Sequence, residues 1–193
     1  VIQSLKNLYD DNNGSEIISN RYDFVGNVIR NKQKQKFDGD STMIDKYYTY
    51  DHAGRLLKTE SEINGSNKLT VSEMTYDELG QLTKKGLHKN GINYLQEVDY
   101  NYNIRGWLSK INDPDNLGTD LFAMKLLYEN PDSLTNLTKE NQYNGNISAM
   151  VWNRKTGLED SDPIKSAYTF MYDKADRLIN NYYGEGSSLT NSN

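Results

Sequence analysis

The chain has no cysteine, three prolines and two histidines in 193 residues. Without thiols there are no disulfide staples and no thiolate chemistry, and the compartment stays open. The two histidines, His52 and His88, have no Ser or Asp at a spacing that suggests a nucleophile and its base, so both read as surface turn residues. No apolar run approaches a membrane span, and none reads as a signal peptide. Lys and Arg do not gather into a stripe. The one basic run, Arg30 to Lys36, is broken by Gln33 and Gln35 and reads as a solvated strand face. With a net charge of −5, this argues against a nucleic-acid partner. The sequence starts at Val1 and ends in Ser- and Asn-rich residues, the expectation for a piece of something longer.

Only 35% of the residues are hydrophobic, yet there are 15 tyrosines, and their placement is regular. One phrase returns along the chain: Tyr22-Asp23-Phe24-Val25-Gly26, Tyr50-Asp51-His52-Ala53-Gly54, Tyr76-Asp77-Glu78-Leu79-Gly80 and Tyr102-Asn103-Ile104-Arg105-Gly106. A final copy at Tyr172-Asp173 carries Asp176 in place of the glycine. The first four tyrosines are separated by 28, 26 and 26 residues, a period that marks a modular array whose units lean on their neighbours.

The phrase has a mechanism. An Asp at the head of a type I turn accepts hydrogen bonds from N–H groups further along, and a glycine at φ > 0 closes the turn through a bulge. A second set of turn signals lies between the first: Asn13-Gly14, Asp38-Gly39, Asn64-Gly65 and Asn90-Gly91. Two alternating sets of tips make the chain run up, turn, run down and turn again. The expected fold is therefore all-β, an antiparallel meander of repeated hairpins forming a curved strip.

Alternation along Ile92, Tyr94, Gln96, Val98, Tyr100 and Tyr102 supports strands with one sheltered face, which also carries Ile44, Tyr48 and Tyr50, then Ile164, Tyr168, Phe170 and Tyr172. A change of phase near Ser72-Glu73 predicts a bulge. Residues 1–112 form the regular array; residues 113–193 form a less regular continuation with an insertion. Within that continuation Leu121 to Tyr128 reads as a strand, Tyr143 to Ile147 as a degenerate unit with a two-residue turn, and Arg154 to Pro163 as an exposed loop.

Candidate chemistry is thin. Asp113 to Gly118 begins like a calcium loop, but Leu117 and Met124 stand at ligand positions and the pattern fails. Glu159, Asp160 and Asp162 fit a polar loop that ends at Pro163. The Asn-x-Ser/Thr matches at Asn13, Asn64, Asn136 and Asn146 read as turns. Trp107 and Trp152 are candidate ligand contacts, against the reading that they are packing. No catalytic, cofactor-binding or metal-binding residue is assigned, and no cofactor is expected.

The phrase, with Tyr50-Asp51-His52-Ala53-Gly54-Arg55-Leu56-Leu57 as its fullest copy, resembles the YD repeats of the Rhs family, shared by the C components of Tc toxins and by teneurins. The stretch Asp99 to Leu108 resembles the variant found in Rhs-type proteins of Bacteroidetes. Tyr22, Asp23, Gly26, Tyr50, Asp51, Gly54, Tyr76, Asp77, Gly80, Tyr102, Gly106, Tyr172 and Asp173 are the repeat residues that carry the resemblance. It implies a β strip that spirals into a hollow shell around a C-terminal toxin, in a secreted or cell-surface bacterial protein. The self-cleaving core of that family has no match, because neither Asp113-Pro114-Asp115-Asn116 nor Asp162-Pro163-Ile164-Lys165 has the required glycine.

The function expected is thus structural and non-enzymatic, with the protein's own C-terminal toxin or effector domain as partner. The alternative is a surface adhesion or carbohydrate-binding module, with a surface glycan as partner. Unpaired strands at the sheet edges give a route to self-association. At about 13 residues per strand and turn and about 4.8 Å between strands, the chain supplies some 70 Å of sheet, part of a wall and never a closed box.

Overall fold

A computed structural model describes residues 2–7, 14–131, 137–155, 164–186 and 190–191. Every regular element among them is a β-strand: β1 (Ile2–Asn7), β2 (Gly14–Tyr22), β3 (Val28–Phe37), β4 (Asp40–Tyr50), β5 (Leu56–Ile63), β6 (Leu69–Tyr76), β7 (Leu82–Asn90), β8 (Asn93–Tyr102), β9 (Leu108–Ile111), β10 (Phe122–Leu127), β11 (Ala149–Arg154), β12 (Ile164–Tyr172), β13 (Leu178–Glu185) and β14 (Thr190–Asn191). Strands adjacent in sequence pair antiparallel, from β1 through β7 and from β8 through β14. This is the expected antiparallel meander. The chain clusters into two compact units, Val1–Glu97 and Val98–Asn193, and β8 contributes residues to both.

The tips follow the two turn chemistries, with differences in detail. Asp38-Gly39 and Asn64-Gly65 have φ > 0 at both positions, as a type I′ turn demands. The third tip of this set lies one residue later than expected. Asn90 stays in β7 and the turn is Gly91-Ile92, with Gly91 at φ 62°, so Ile92 belongs to the tip and not to the sheltered face. Gly14 is not a tip residue: it is buried, begins β2 and pairs with Phe37, while Asn13 lies outside the described residues. His88 also departs from expectation, sitting within β7 at φ 49° and not in a turn.

The expected bulge is displaced by a residue. Thr59 faces Ser72 and Glu60 faces Thr70, which leaves Val71 as the extra residue. A second kind of bulge recurs after every tyrosine of the phrase. Tyr22 pairs with Val28 but Arg21 with Arg30; Tyr50 with Leu56 but Thr49 with Lys58; Tyr76 with Leu82 but Thr75 with Lys84. Tyr102 with Leu108 and Tyr172 with Leu178 repeat it, so the second residue of each return strand is unpaired.

In the first unit, register places Ile18, Gln33 and Ile44 opposite one another on one face, together with Tyr48, Thr59, Ser72 and Leu87. The other face carries cross-strand charge. Arg30 Nε donates to Asp45 Oδ1 at 2.8 Å, and the Tyr47 hydroxyl donates to Glu62 Oε2 at 3.2 Å. Lys89 Nζ and the Tyr94 hydroxyl converge on Glu73 Oε2 at 3.1 and 2.5 Å. Asp45 is only 5% exposed, so the Arg30 partner is what makes its burial tolerable. Gly86 lies under Tyr94, and a Cβ added there would stand 2.5 Å from the ring.

The second unit holds the apolar core of the described residues: Leu137, Ala149, Val151 and Ala167, flanked by Leu127 and Tyr182. The core is not on the tyrosine-bearing face. Ala123, Val151, Asn153, Ala167 and Thr169 share the opposite face by register, and two long connections cover it. One, after β9, buries Pro114 and Leu117, and Pro114 O accepts from Asn153 Nδ2 at 3.0 Å. The other, after β10, brings Leu137 into the core, while Thr169 Oγ1 donates to Thr138 O at 2.5 Å. Small side chains on β11 and β12 leave room for these connections to approach the sheet.

Leu121 to Tyr128 is a strand, β10, as read from sequence. Tyr143 to Asn146 is not a two-residue hairpin; it belongs to the long connection before β11, and Gly145 at φ 105° turns it. Most of the Arg154 to Pro163 loop, with Glu159, Asp160 and Asp162, lies outside the described residues, as does Asn136.

Candidate functional site

The repeated phrase builds the same small station five times. Asp51 Oδ1 accepts from the N–H groups of Ala53 and Arg55 at 2.9 Å each, and its Oδ2 accepts from Arg55 Nε at 2.6 Å. Gly54 N–H donates to Asp51 O at 3.1 Å, and Asp51 N–H to Arg55 O at 3.0 Å, closing a three-residue loop with Gly54 at φ 79°. Asp23 accepts from Val25 and Asn27, Asp77 from Gln81, and Asp173 from Ala175 and Arg177. Asn103 makes the same bonds without charge, its Oδ1 accepting from Arg105 and Trp107 at 3.0 Å each. Gly26, Gly80 and Gly106 all have φ > 0, and Asp176 adopts the conformation at φ 59°.

These bonds stabilise the ionised carboxylate. Donation from the Arg55 backbone, then from its side chain, holds Asp51 below the ordinary carboxylate range. The Arg177 side chain and backbone do the same for Asp173. At Asp23 desolvation pulls upward, but the amide donors of Asn27, Gly26 and Val25 outweigh it and the net shift is down.

Three of these tyrosines tie their stations to an earlier segment of the chain. The Tyr50 hydroxyl donates to Val28 O at 3.0 Å and Tyr76 to Leu56 O at 2.9 Å. Tyr172 donates to Ile147 O at 2.9 Å. The acceptors Val28 and Leu56 sit beside the recurring bulge, where the ladder is interrupted and a carbonyl is left for a side-chain donor. Burial raises the pKa of Tyr50 and Tyr172, as expected for a phenol held against backbone away from water. Arginine completes the joint: the Arg55 guanidinium, already bound to Asp51, lies 4.8 Å from the centre of the Tyr76 ring in the next unit.

Tyr128 is a station tyrosine that the Tyr-Asp phrase does not reveal. Its hydroxyl donates to Leu108 O at 2.9 Å, as Tyr76 does to Leu56 O. The signal was the period, since Tyr128 stands 26 residues after Tyr102. A second device missed from sequence is Asn112. Like Asn64, it takes φ 51° and brackets a strand residue: its N–H donates to Asp99 O at 2.9 Å and its Oδ1 accepts from Asp99 N–H at 2.8 Å. Asn64 holds Met43 in the same way. Both follow isoleucine at the end of a return strand.

The two tryptophans have separate surroundings. Trp107 packs 5.0 Å from Tyr128, with Arg105 over its ring at 5.0 Å and Gly145 against its edge. Arg105 also donates to Tyr143 O at 2.9 Å and pairs with Glu129 at 2.9 Å, fastening the tip to the long connection. Trp152 stacks on Tyr168 at 5.5 Å and neighbours Tyr183 at 6.1 Å, and Phe170 continues the stack 6.1 Å from Tyr168. This row is half-buried.

An open groove of about 510 Å³ in the second unit is lined by Asn101, Arg105, Lys110, Lys125 and Glu129, among others. Its charges are largely matched. Lys110 lies 3.5 Å from Asp113, and Lys165 lies 2.5 Å from Asp115, which holds that carboxyl below its usual range. Among the described residues no group of three His, Asp or Glu side chains is placed to hold a metal ion.

No protein-family model and no curated protein matches the sequence. Among solved structures, the chain is similar to part of a Tc holotoxin pore from Photorhabdus luminescens, at 13% identity and a TM-score of 0.45, over 95% of this chain and 10% of that one. It is similar to TcdB2–TccC3 in complex with Cdc42 at 13% identity and a TM-score of 0.45, over 92% and 10% of the respective chains. For TcdB2–TccC3 without its hypervariable C-terminal region the values are 13%, 0.41, 93% and 12%. The chain thus spans about a tenth of the length of the structures it matches.

Proposed function

We propose that this chain is a non-enzymatic wall segment of an Rhs-type bacterial protein, secreted or at the cell surface, in which YD repeats enclose a C-terminal toxin domain. The observation that carries the reading is the repeated joint. The residues that give the sequence its resemblance to Rhs repeats are spent on tying one hairpin to the next, through Asp51 within a tip and through Tyr76 on Leu56 O between tips. Side chains used in this way build a continuous sheet and leave no nucleophile, base or cation site at the repeat. The test is limited proteolysis of the full-length parent. The C-terminal region should resist digestion while the repeats are folded, and digestion at the rate of the same region expressed alone would overturn enclosure.

A second reading, recognition of a surface glycan, draws on the half-buried row of Trp152, Tyr168 and Phe170, since aromatic faces suit sugar rings. Trp107 contributes less to it, being enclosed by Arg105, Tyr128 and Gly145. Saturable glycan-array binding lost on Trp152→Ala would support it.

A further inference from the structure

The open groove of the second unit holds one positive charge more than its own carboxylates match. Three of its lining residues form a row across three strands: Asn101 on β8, Lys110 on β9 and Lys125 on β10. Residues directly opposite one another share a face with Cβ atoms about 5 Å apart, so the two lysines repel. The carboxylates nearby are already engaged. Lys110 lies 3.5 Å from Asp113, Arg105 pairs with Glu129 at 2.9 Å, and Lys165 holds Asp115 at 2.5 Å. Asp115 is also within electrostatic reach of Lys125, but no carboxylate among the described residues comes within ion-pair distance of the Lys125 ammonium. Lys125 is half-buried, which leaves water only a partial substitute for the missing anion.

The other lining groups suit a small polyol. The side chains of Asn101 and Ser109 have no hydrogen-bond partner among the described residues, and Tyr128 adds an aromatic wall. The volume of about 510 Å³ falls within the roughly 300–1,000 Å³ of small-molecule sites. We propose that this groove binds an acidic sugar, its one carboxylate received by Lys125 and Lys110, its hydroxyls by Ser109 and Asn101, and its ring against Tyr128. One negative charge matches the one unpaired cation, and a second would meet Asp113 and Asp115 in the same lining. A bare carboxylate would leave the amide and the hydroxyl unused. Lys125 pairs with Val151 and Met124 with Trp152, so the groove and the row of Trp152 and Tyr168 lie on opposite faces of the sheet. The inference therefore rests on neither reading of the function above.

The test titrates the whole chain with methyl glucuronide, methyl glucoside and acetate, followed by amide NMR shifts. The glucuronide should give saturable shifts at Ser109, Lys110 and Lys125, and the neutral glucoside and acetate should each bind about tenfold more weakly. Lys125→Met should weaken glucuronide binding about tenfold, the worth of one charge-assisted hydrogen bond, and Ser109→Ala about threefold. Without sugar, Lys125→Met should melt at or above the wild-type temperature, because it keeps the apolar stem and removes a like-charge pair. Acetate or glucoside binding as tightly as the glucuronide, unchanged affinity or a lower melting temperature in Lys125→Met, or no saturable shift at the solubility limit would each overturn the proposal.

Discussion

Asp176 occupies the position that Gly54, Gly80 and Gly106 hold in other tips, and it takes the same left-handed conformation. The sequence alone suggests a relaxed turn in which glycine would do as well. In the structure the side chain is an anchor, because Asp176 Oδ1 accepts from Asn144 Nδ2 at 2.5 Å and from Asn146 Nδ2 at 3.3 Å and so holds the long connection. Asp176→Gly therefore gains backbone freedom and loses an anchor, whereas Asp176→Ala loses the anchor and keeps the strain. In thermal denaturation the alanine variant should fall below the glycine variant by about 1 kcal/mol. Gly80→Val should fall further below wild type, by about 1–2 kcal/mol or more. A β-branched residue at φ 85° is strained, and its Cβ would lie 3.0 Å from Arg55 Nη1.

The lowered carboxylates at Asp23, Asp51 and Asp173 fix the sign of a pH effect. Their folded-state values lie below the unfolded ones, so their contribution is complete above the ordinary carboxylate range and is lost as pH falls through the lowered values. The melting temperature should drop below about pH 4. Asp51→Asn should shrink that drop and keep the turn, since Asn103 already makes it with an amide. A drop of undiminished size in Asp51→Asn would place the acid sensitivity elsewhere.

At the scale of strands and hairpins, the joint can be probed by removing single oxygen atoms. Tyr76→Phe deletes the bond to Leu56 O and should cost about 0.5–1.5 kcal/mol. Tyr22→Phe should be nearly silent, because the Tyr22 hydroxyl has no partner among the described residues and the side chain is partly exposed, at 36%. If both variants melt alike, the hydroxyl is not what ties the hairpins. The alternation of tips was legible because Asp-x-x-Gly and Asn-Gly have local causes. The one-residue shifts at Gly91 and Val71 were not, since bulge position depends on which partner strand wins the register. Tyr128 escaped for a simpler reason: the other station tyrosines are followed by Asp or Asn, and Tyr128 is followed by Glu129.

At the scale of the molecule, sequence pattern placed shelter on the tyrosine-bearing face, and in the second unit the closed core lies on the other. Nothing local announces this. Ala123, Ala149 and Ala167 are small residues within strands, and only the long connections from β9 and β10, which fold back over them, turn a thin face into a core. The buried apolar side chains among the described residues, from Leu117 to Ala167, all fall in the second unit. Native-state hydrogen exchange should accordingly find the slowest amides in β11 and β12, with β2 to β4 exchanging sooner. The reverse order would mean that cross-strand charge, and not the core, sets local stability.

The extra residue that follows each tip of the repeated phrase has one more effect. In a long meander an error of pairing travels, because a slip of one residue in any strand turns every later side chain to the wrong face. A bulge set by its own tip re-indexes the count at each hairpin, as a marked notch does on a ruler. The chain can therefore absorb the long detour between Leu127 and Ala149 and still meet Tyr172 with the same offset to Leu178 that Tyr50 has to Leu56. An array indexed in this way can gain, lose or lengthen a hairpin without disturbing those on either side.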